Sequence, residues 1–534
     1  MKKSKTAIIS LVLALMMAIP TIVIAQPLDD IPKRTENGVV YVPLRLAAYA
    51  HGATVEWNGA TRTVYIIDVD GHRQGVTIET VGGFIEDGVS WIPLEFANRL
   101  FQHSSNNYIH NDMANIALDF MEKFAIGDMP SMLQMMTEEA QATGVKMFAE
   151  LHQTALLRRG SFIDWDIADF QTVEYSTTFD IAVNSIIGRS VYRVTVNSAG
   201  EIAGFSDLGF VLRQMPVDEN AAYAVEPVII GEGTRWALDG ILTIPNEASA
   251  ENPVPAVVLV HGSGPNNMDL SIFDNRPFHD IATYLSSNGI AVLRYDKRTL
   301  THGVALAQAY DDNSFTLWEE TIEDAILAAE ILQADLRICR VYVAGISLGG
   351  ILAPRIAEEG NFDGVILLAA PARPLFEISY DQSVQSINDI LSAGLMTQEE
   401  ADGSFAMVAA LLEEARNLIN LPIEEMQDML IFGLPAIYQR SWYDSLPIPI
   451  ILRNTIPTLI LHGDRDFQVF TDRDFQRFAD YTYGYAHVTA ILYDNVNHIL
   501  MQSQTPYNDL RDYMIPGHVY RRLLRDIVEW IMSN

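Results

Sequence analysis

The sequence predicts an α/β architecture over residues 223–534, a mostly parallel sheet covered on both faces by helices and carrying a helical insertion, preceded by two small α+β domains. Three observations carry this reading. Near-continuous apolar runs such as Ala256-Val257-Val258-Leu259-Val260 and Thr458-Leu459-Ile460-Leu461 recur between helical stretches, which is the pattern of strands buried on both faces. Residues 341–344 run through Gly345-Ile346-Ser347-Leu348-Gly349 straight into a helical pattern over 350–357, giving strand, sharp turn and helix. At 534 residues the chain exceeds one ordinary domain, and over residues 111–197 helices come first and strands afterwards instead of alternating.

Taken in order, residues 1–25 read as a secretory signal peptide. Lys2, Lys3 and Lys5 precede an apolar stretch over 7–24 that ends at Ala25 before Gln26. A retained anchor is the alternative, since about eighteen apolar residues lie at the lower edge of spanning length; Pro20 and the short stem favour cleavage. No later segment is long and apolar enough to span a bilayer, so a secreted or cell-surface protein without an integral span after signal removal is expected. The formal charge of −33 grows more negative once the three lysines leave, and it argues against nucleic acid or an anionic membrane surface as partner. Cys339 is the single cysteine, so there is no intrachain disulfide, and it is expected as a half-buried structural thiol.

In the first α+β domain, residues 36–103, Val39-Val40-Tyr41-Val42-Pro43-Leu44 opens a strand, a short helix follows to His51, and 54–58 and 63–67 form a hairpin around Asn58-Gly59. The opening phrase returns at Val89-Ser90-Trp91-Ile92-Pro93-Leu94. This region resembles the copper amine oxidase N-terminal-like (stalk) domain found on exported bacterial proteins. The name does not bring copper with it: His51, His72 and His103 show no ligand spacing on one element, so no metal is expected, and the region reads as a spacer or adhesion module toward a cell-wall or surface partner. The second domain, 108–215, starts with a helical pattern (Met113, Ala114, Ile116, Ala117, Phe120, Met121, Phe124), continues with helices over 129–136 and 145–158, and ends in strands such as 175–182 and 190–197. Its element order is similar to the small cone-shaped nuclear transport factor 2-like domains that precede bacterial hydrolase domains. Its methionines and aromatics read as core.

Over 223–534 the predicted strands are 225–230, 238–244, 256–260, 291–295, 341–344, 365–368, 458–461 and 488–492. Residues 374–449 break the rhythm as a helical insertion carrying Met407, Leu411, Leu412, Met426, Met429, Leu430, Phe432, Tyr438 and Trp442, a candidate lid over the carboxyl ends of the strands. Ser347, on the sharp turn, has the position of a nucleophile. A serine hydroxyl needs a base to take its proton and an acid to orient that base. Carboxylates follow the strand at 458–461, in Gly463-Asp464-Arg465-Asp466, and His498 follows the next one, giving the order Ser, Asp, His. Asp464, Asp466 and Asp494 are the candidate acids. The backbone N–H of Leu348, together with one from Ser263 or Gly264, would face a developing oxyanion.

With His261-Gly262-Ser263-Gly264-Pro265, Arg294-Tyr295-Asp296-Lys297-Arg298, Gly-x-Ser-x-Gly, Gly-x-x-Asp and Asn497-His498 all in order, residues 225–534 resemble the α/β-hydrolase fold of exported bacterial esterases of the dienelactone-hydrolase-like type. That resemblance implies a cofactor-free serine carboxylesterase acting on a small-molecule ester, and it places the family's acid on Asp466, with Asp464 second and Asp494 third because it stands so near His498. His261 and His462 read as structural, Ser263 as a loop hydroxyl, and 296–298 as a salt-linked loop. The family continues that loop with glycine where this chain has Thr299-Leu300-Thr301-His302-Gly303, which makes His302 a candidate substrate contact. The sequence carries no zinc-protease motif, cysteine metal site or phosphate loop. A serine peptidase or amidase of the same fold is the alternative enzyme, with Glu413-Glu414 or Glu424-Glu425 to grip a peptide terminus. A non-catalytic surface-binding protein is the alternative from another class.

Overall fold

The structure is a computed structural model that describes residues 112–534, apart from 174–175, 213–219, 311–313, 393–395, 428 and 507, together with seven strands before residue 112. The signal segment, the helix before His51, and His51, His72 and His103 lie outside the described residues. The seven strands are β1 (Arg34–Glu36), β2 (Val39–Pro43), β3 (Thr54–Asn58), β4 (Thr63–Ile67), β5 (Arg73–Thr77), β6 (Phe84–Glu86) and β7 (Val89–Pro93). The repeated phrase forms β2 and β7, which pair antiparallel with Val42 opposite Ile92, inside the sheet β1-β2-β7-β6. The hairpin around Asn58-Gly59 is β3 and β4, extended by β5.

The second domain is α1 (Asp112–Ile126), α2 (Met129–Gln134) and α3 (Glu138–Arg159), then the antiparallel sheet β8 (Phe162–Val173), β9 (Ser176–Ser185), β10 (Gly188–Asn197) and β11 (Ile202–Leu212). The last helix starts seven residues before the predicted 145 because Thr137 caps it, accepting the Ala140 N–H at 3.2 Å. It ends at Gly160 with φ 72°, a conformation only glycine adopts freely. Phe120, Phe124, Met132, Met136 and Tyr192 are buried between helices and sheet.

The third domain contains an eight-stranded sheet. Its strands are β12 (Tyr223–Ile230), β13 (Leu238–Pro245), β14 (Val254–Val260), β15 (Ala291–Tyr295), β16 (Ile338–Ile346), β17 (Gly364–Leu368), β20 (Thr458–Gly463) and β21 (Val488–Tyr493), ordered β12-β13-β15-β14-β16-β17-β20-β21. The first two are antiparallel and the remainder parallel. Strand β14 shows why the run is continuous. Ala256, Val258 and Val260 enter the core on one face, and Val257 and Leu259 enter the core on the other. Each buried valine or leucine contributes roughly 1.5–3 kcal/mol. Cys339, by contrast, is exposed near the start of β16, where the strand has not yet entered the sheet interior, so the half-buried expectation is wrong.

Between β17 and β20 lies the insertion, including α5 (Leu375–Ser392), α6 (Gln398–Asn417) and a short helix Pro447–Arg453. It is not helical throughout, because β18 (Leu430–Ile431) and β19 (Leu434–Pro435) form a small hairpin with Phe432 at φ 48°. Leu412, Met426, Tyr438 and Trp442 are buried, whereas Met407 and Leu430 are exposed.

Candidate functional site

Strand β16 delivers Ser347 to the start of α4 (Leu348–Gly360). Ser347 adopts φ 53° and ψ −116°, a sparsely populated conformation that costs about 1–3 kcal/mol and is held by its surroundings. Its N–H donates to the Leu368 carbonyl at 2.9 Å, which ties the turn to the end of β17. The flanking glycines are required by close approach. A Cβ on Gly345 would lie 2.1 Å from the Gly349 carbonyl oxygen, and one on Gly349 would lie 2.4 Å from that of Val260.

Asp466 and His498 stand on the loops beyond β20 and β21. Asp466 is buried; its Oδ1 accepts the N–H groups of Gln468 and Val469, both at 2.8 Å, and its Oδ2 lies 2.7 Å from His498 Nδ1. The other two carboxylates are placed differently. Asp464 Oδ1 accepts the Asn495 N–H at 2.6 Å and holds the neighbouring turn, and Asp494 faces solvent. Asn497 beside the histidine donates to Asp512 Oδ2 at 2.6 Å, and Asp512 also accepts the Ser503 hydroxyl at 2.8 Å, so a buried polar cluster fixes the histidine loop. Ser347, Asp466 and His498 thus lie past the carboxyl ends of strands in one sheet.

The loop 261–265 runs beside Ser347: a Cβ on Gly262 would sit 3.4 Å from the serine Cβ. Asn266 Nδ2 donates to the carbonyls of Gly262, Ser263 and Gly264 at 3.1, 3.1 and 3.2 Å, and Lys297 Nζ donates to that of Gly262 at 2.9 Å. In a trans peptide the C=O and the following N–H point in opposite directions. Pulling the Gly262 and Ser263 carbonyls toward Asn266 therefore turns the N–H groups of Ser263 and Gly264 away from it. Lys297 is buried and pairs with Glu320 at 2.6 Å, which accepts the Tyr438 hydroxyl at 2.5 Å, so the insertion is linked to this loop through an ion pair. Burial draws the Lys297 pKa down, against the raising effect of Glu320. Asn266, Glu320 and Tyr438 were not singled out for this role in the sequence; the two adjacent asparagines after the glycine loop were the available signal.

His261 Nε2 meets the Tyr295 carbonyl at 2.5 Å, and burial lowers its pKa to about 3, so the ring is neutral and structural. His462 Nε2 meets the Val469 carbonyl at 3.0 Å, and burial lowers its pKa too. His302 is committed elsewhere, with Nε2 2.9 Å from the Ala237 carbonyl and its ring against Trp236, which argues against substrate contact. In the 296–298 loop, Lys297 and Arg298 are salt-linked, the latter to Glu323 and Asp324. Asp296 takes the Met268 N–H at 2.7 Å instead, and burial raises its pKa to about 6.

A raised carboxyl pKa means that ionisation costs the folded state. The stability that protonated Asp296 contributes is present below about pH 4 and lost as pH rises through about 6. Asp296→Asn keeps an acceptor for Met268, and with partial exposure discounted it should be about 1–2 kcal/mol more stable than the parent at pH 8 and equal to it at pH 4. Urea unfolding at the two pH values checks this, and an equal difference at both would sink it.

Among the described residues no group of three or more His, Cys, Asp or Glu side chains is arranged to hold a metal ion. A serine raised on a strand–helix turn, with an Asp–His pair past later strands of a mostly parallel sheet, defines a hydrolase. The chain belongs to the alpha/beta hydrolase family. The family model of that description matches residues 257–510, and the copper amine oxidase N-terminal domain model matches residues 24–83, beginning earlier and ending sooner than the 36–103 expected. Esterase EstD of Thermotoga maritima is 35% identical over 370 residues, covering 68% of this chain and 81% of that protein. Among solved structures, Est1E from Butyrivibrio proteoclasticus aligns at a TM-score of 0.36 and 15% identity, over 58% of this chain and 99% of its own. Porphyromonas gingivalis dipeptidyl peptidase 4 aligns at 0.38 and 15%, over 69% of this chain and 50% of its own.

Proposed function

We propose that the protein is an exported carboxylesterase in which Ser347 is the nucleophile, His498 the general base and acid, and Asp466 the residue that orients the imidazole. The observation that carries this reading is the 2.7 Å contact between His498 Nδ1 and a buried Asp466 whose other oxygen is already held by two backbone donors. That arrangement keeps the proton on Nδ1 and leaves Nε2 free to accept the serine proton. Ser347 Oγ then attacks the acyl carbon, and the N–H groups of Leu348 and of Ser263 or Gly264 receive the oxyanion. His498 passes the proton to the leaving alcohol, and water releases the acid by the same steps in reverse. The esterase relative supports ester substrates. A peptidase reading gains nothing from the acidic pairs of the insertion, since Glu413 is exposed and paired with Arg416 while Glu424 and Glu425 face solvent. Residues 1–25 would direct the chain out of the cell.

Expressed with its own N-terminus, the protein should be recovered outside the cytoplasm starting near Gln26. It should label with a fluorescent fluorophosphonate and hydrolyse p-nitrophenyl butyrate at least 100-fold faster than an aminoacyl p-nitroanilide, in kcat/KM. A faster anilide reaction would make it a peptidase. Absence of labelling and of both activities would leave the surface-binding alternative.

A further inference from the structure

We infer that the second domain is a working part of the esterase site, with Arg158 at the end of α3 acting as a positioning residue that holds the oxyanion loop through Asn266. The inference rests on the ester-hydrolase reading above. Asn266 is buried, and its amide has two faces with opposite demands. Its nitrogen must point at the carbonyls of residues 262–264, because the flipped amide would set oxygen against three oxygens. Its oxygen therefore points away from the loop, and there the Arg158 guanidinium donates to it. The cation selects the amide orientation and, by polarising it, strengthens the N–H groups that hold the loop. Burial lowers the Arg158 pKa to about 10, which leaves the side chain charged at neutral pH.

The contact belongs to a wider docking of the second domain on residues 266–276, the segment that follows the oxyanion loop. Phe273, at φ 50°, donates its N–H to the Leu157 carbonyl at 2.8 Å. Asp274 accepts the N–H of Ser161 at 3.0 Å and its hydroxyl at 3.3 Å. Arg276 reaches the Ile186 carbonyl at 2.9 Å, and Asp269 joins it to Arg294 of β15. A segment with Leu270 and Phe273 both at positive φ is thus held between the hydrolase sheet on one side and the second domain on the other. Its first buried side chain is the one that orients the loop carbonyls.

The test uses the full chain and compares Arg158→Met, Arg158→Lys, Asn266→Ala, the double variant Arg158→Met/Asn266→Ala, and Ser161→Ala as an interface control, with thermal unfolding of each. Donors to an oxyanion act on the transition state, so Arg158→Met and Asn266→Ala should each lower kcat roughly 10–100-fold with KM within about threefold. Because one residue acts through the other, the double variant should be no slower than Asn266→Ala alone. Arg158→Lys should recover part of the rate, and Ser161→Ala should keep it. A kcat for Arg158→Met within twofold of the parent, or an effect that multiplies in full with Asn266→Ala, overturns the inference. Should Arg158→Met fail to fold, Arg158→Lys decides: a several-fold loss of kcat supports the inference and an unchanged kcat overturns it. Ser347→Ala separates the two levels of argument. If it is inert while Arg158→Met is fully active, only this inference fails; if it stays active, the esterase reading fails with it.

Discussion

Ser347→Ala is expected to lower ester hydrolysis by about 10⁴–10⁶-fold and abolish fluorophosphonate labelling, while the protein stays folded. The chemical loss is large because the hydroxyl removed is the one raised on the turn between β16 and the following helix. The structural loss is small for a specific reason. The contact that fixes the turn is the Ser347 N–H to the Leu368 carbonyl, and alanine keeps it. Alanine also meets the φ 53° requirement no worse than serine does, so the unfolding free energy should stay within about 1 kcal/mol of the parent. Rates on p-nitrophenyl butyrate with a matched thermal melt check this. A folded variant retaining a tenth of the parent rate would remove Ser347 from the reaction. Such a result would also redirect attention to Ser263, which lies in the loop beside it.

Much of this arrangement is legible in the sequence because a parallel sheet writes itself plainly. Strands such as β14 and β20 are buried on both faces, so they appear as unbroken apolar runs, and the loops past them carry the polar residues that matter. The fold follows from that pattern, whereas the family membership rests on the similarity to Esterase EstD. Choosing among Asp464, Asp466 and Asp494 is harder, because the three are alike in residue type and all lie in loops past strand ends. What distinguishes them is turn geometry: one carboxylate caps Asn495, one is exposed, and one is buried against His498. Spacing carries little of that. The supports of the 261–265 loop are not legible, because each joins distant segments. Tyr438 meets Glu320 across 118 positions, and Arg158 meets Asn266 across 108. Periodicity reports which face a residue presents, not what another domain places opposite it. Cys339 and Asp296 show the same limit at smaller scale. The cysteine precedes the buried part of its strand, and the half-buried aspartate accepts the Met268 N–H in place of the ion pair its basic neighbours suggested.

Asp466→Asn should lose about 10⁴-fold in kcat with little change in KM or stability, and the reason lies in which oxygen does what. Oδ1 accepts from the Gln468 and Val469 N–H groups, so an asparagine must keep its carbonyl there, since its NH₂ would collide with two donors. The NH₂ is then forced toward His498 Nδ1, at the position where the carboxylate Oδ2 stood 2.7 Å away. Two donors cannot share that contact, so Nδ1 must give up its proton and accept, and the neutral ring carries its proton on Nε2 instead. Such a ring cannot accept from Ser347. The loop geometry survives because both backbone hydrogen bonds survive, which makes this variant a test of tautomer rather than of folding. Steady-state kinetics on p-nitrophenyl butyrate, with ¹⁵N NMR of the histidine ring to read the tautomer, distinguishes the cases. A slow enzyme with the Nε2–H form supports the assignment. A fast enzyme, or a slow one that still carries Nδ1–H, would mean that Asp466 holds the loop without orienting the base.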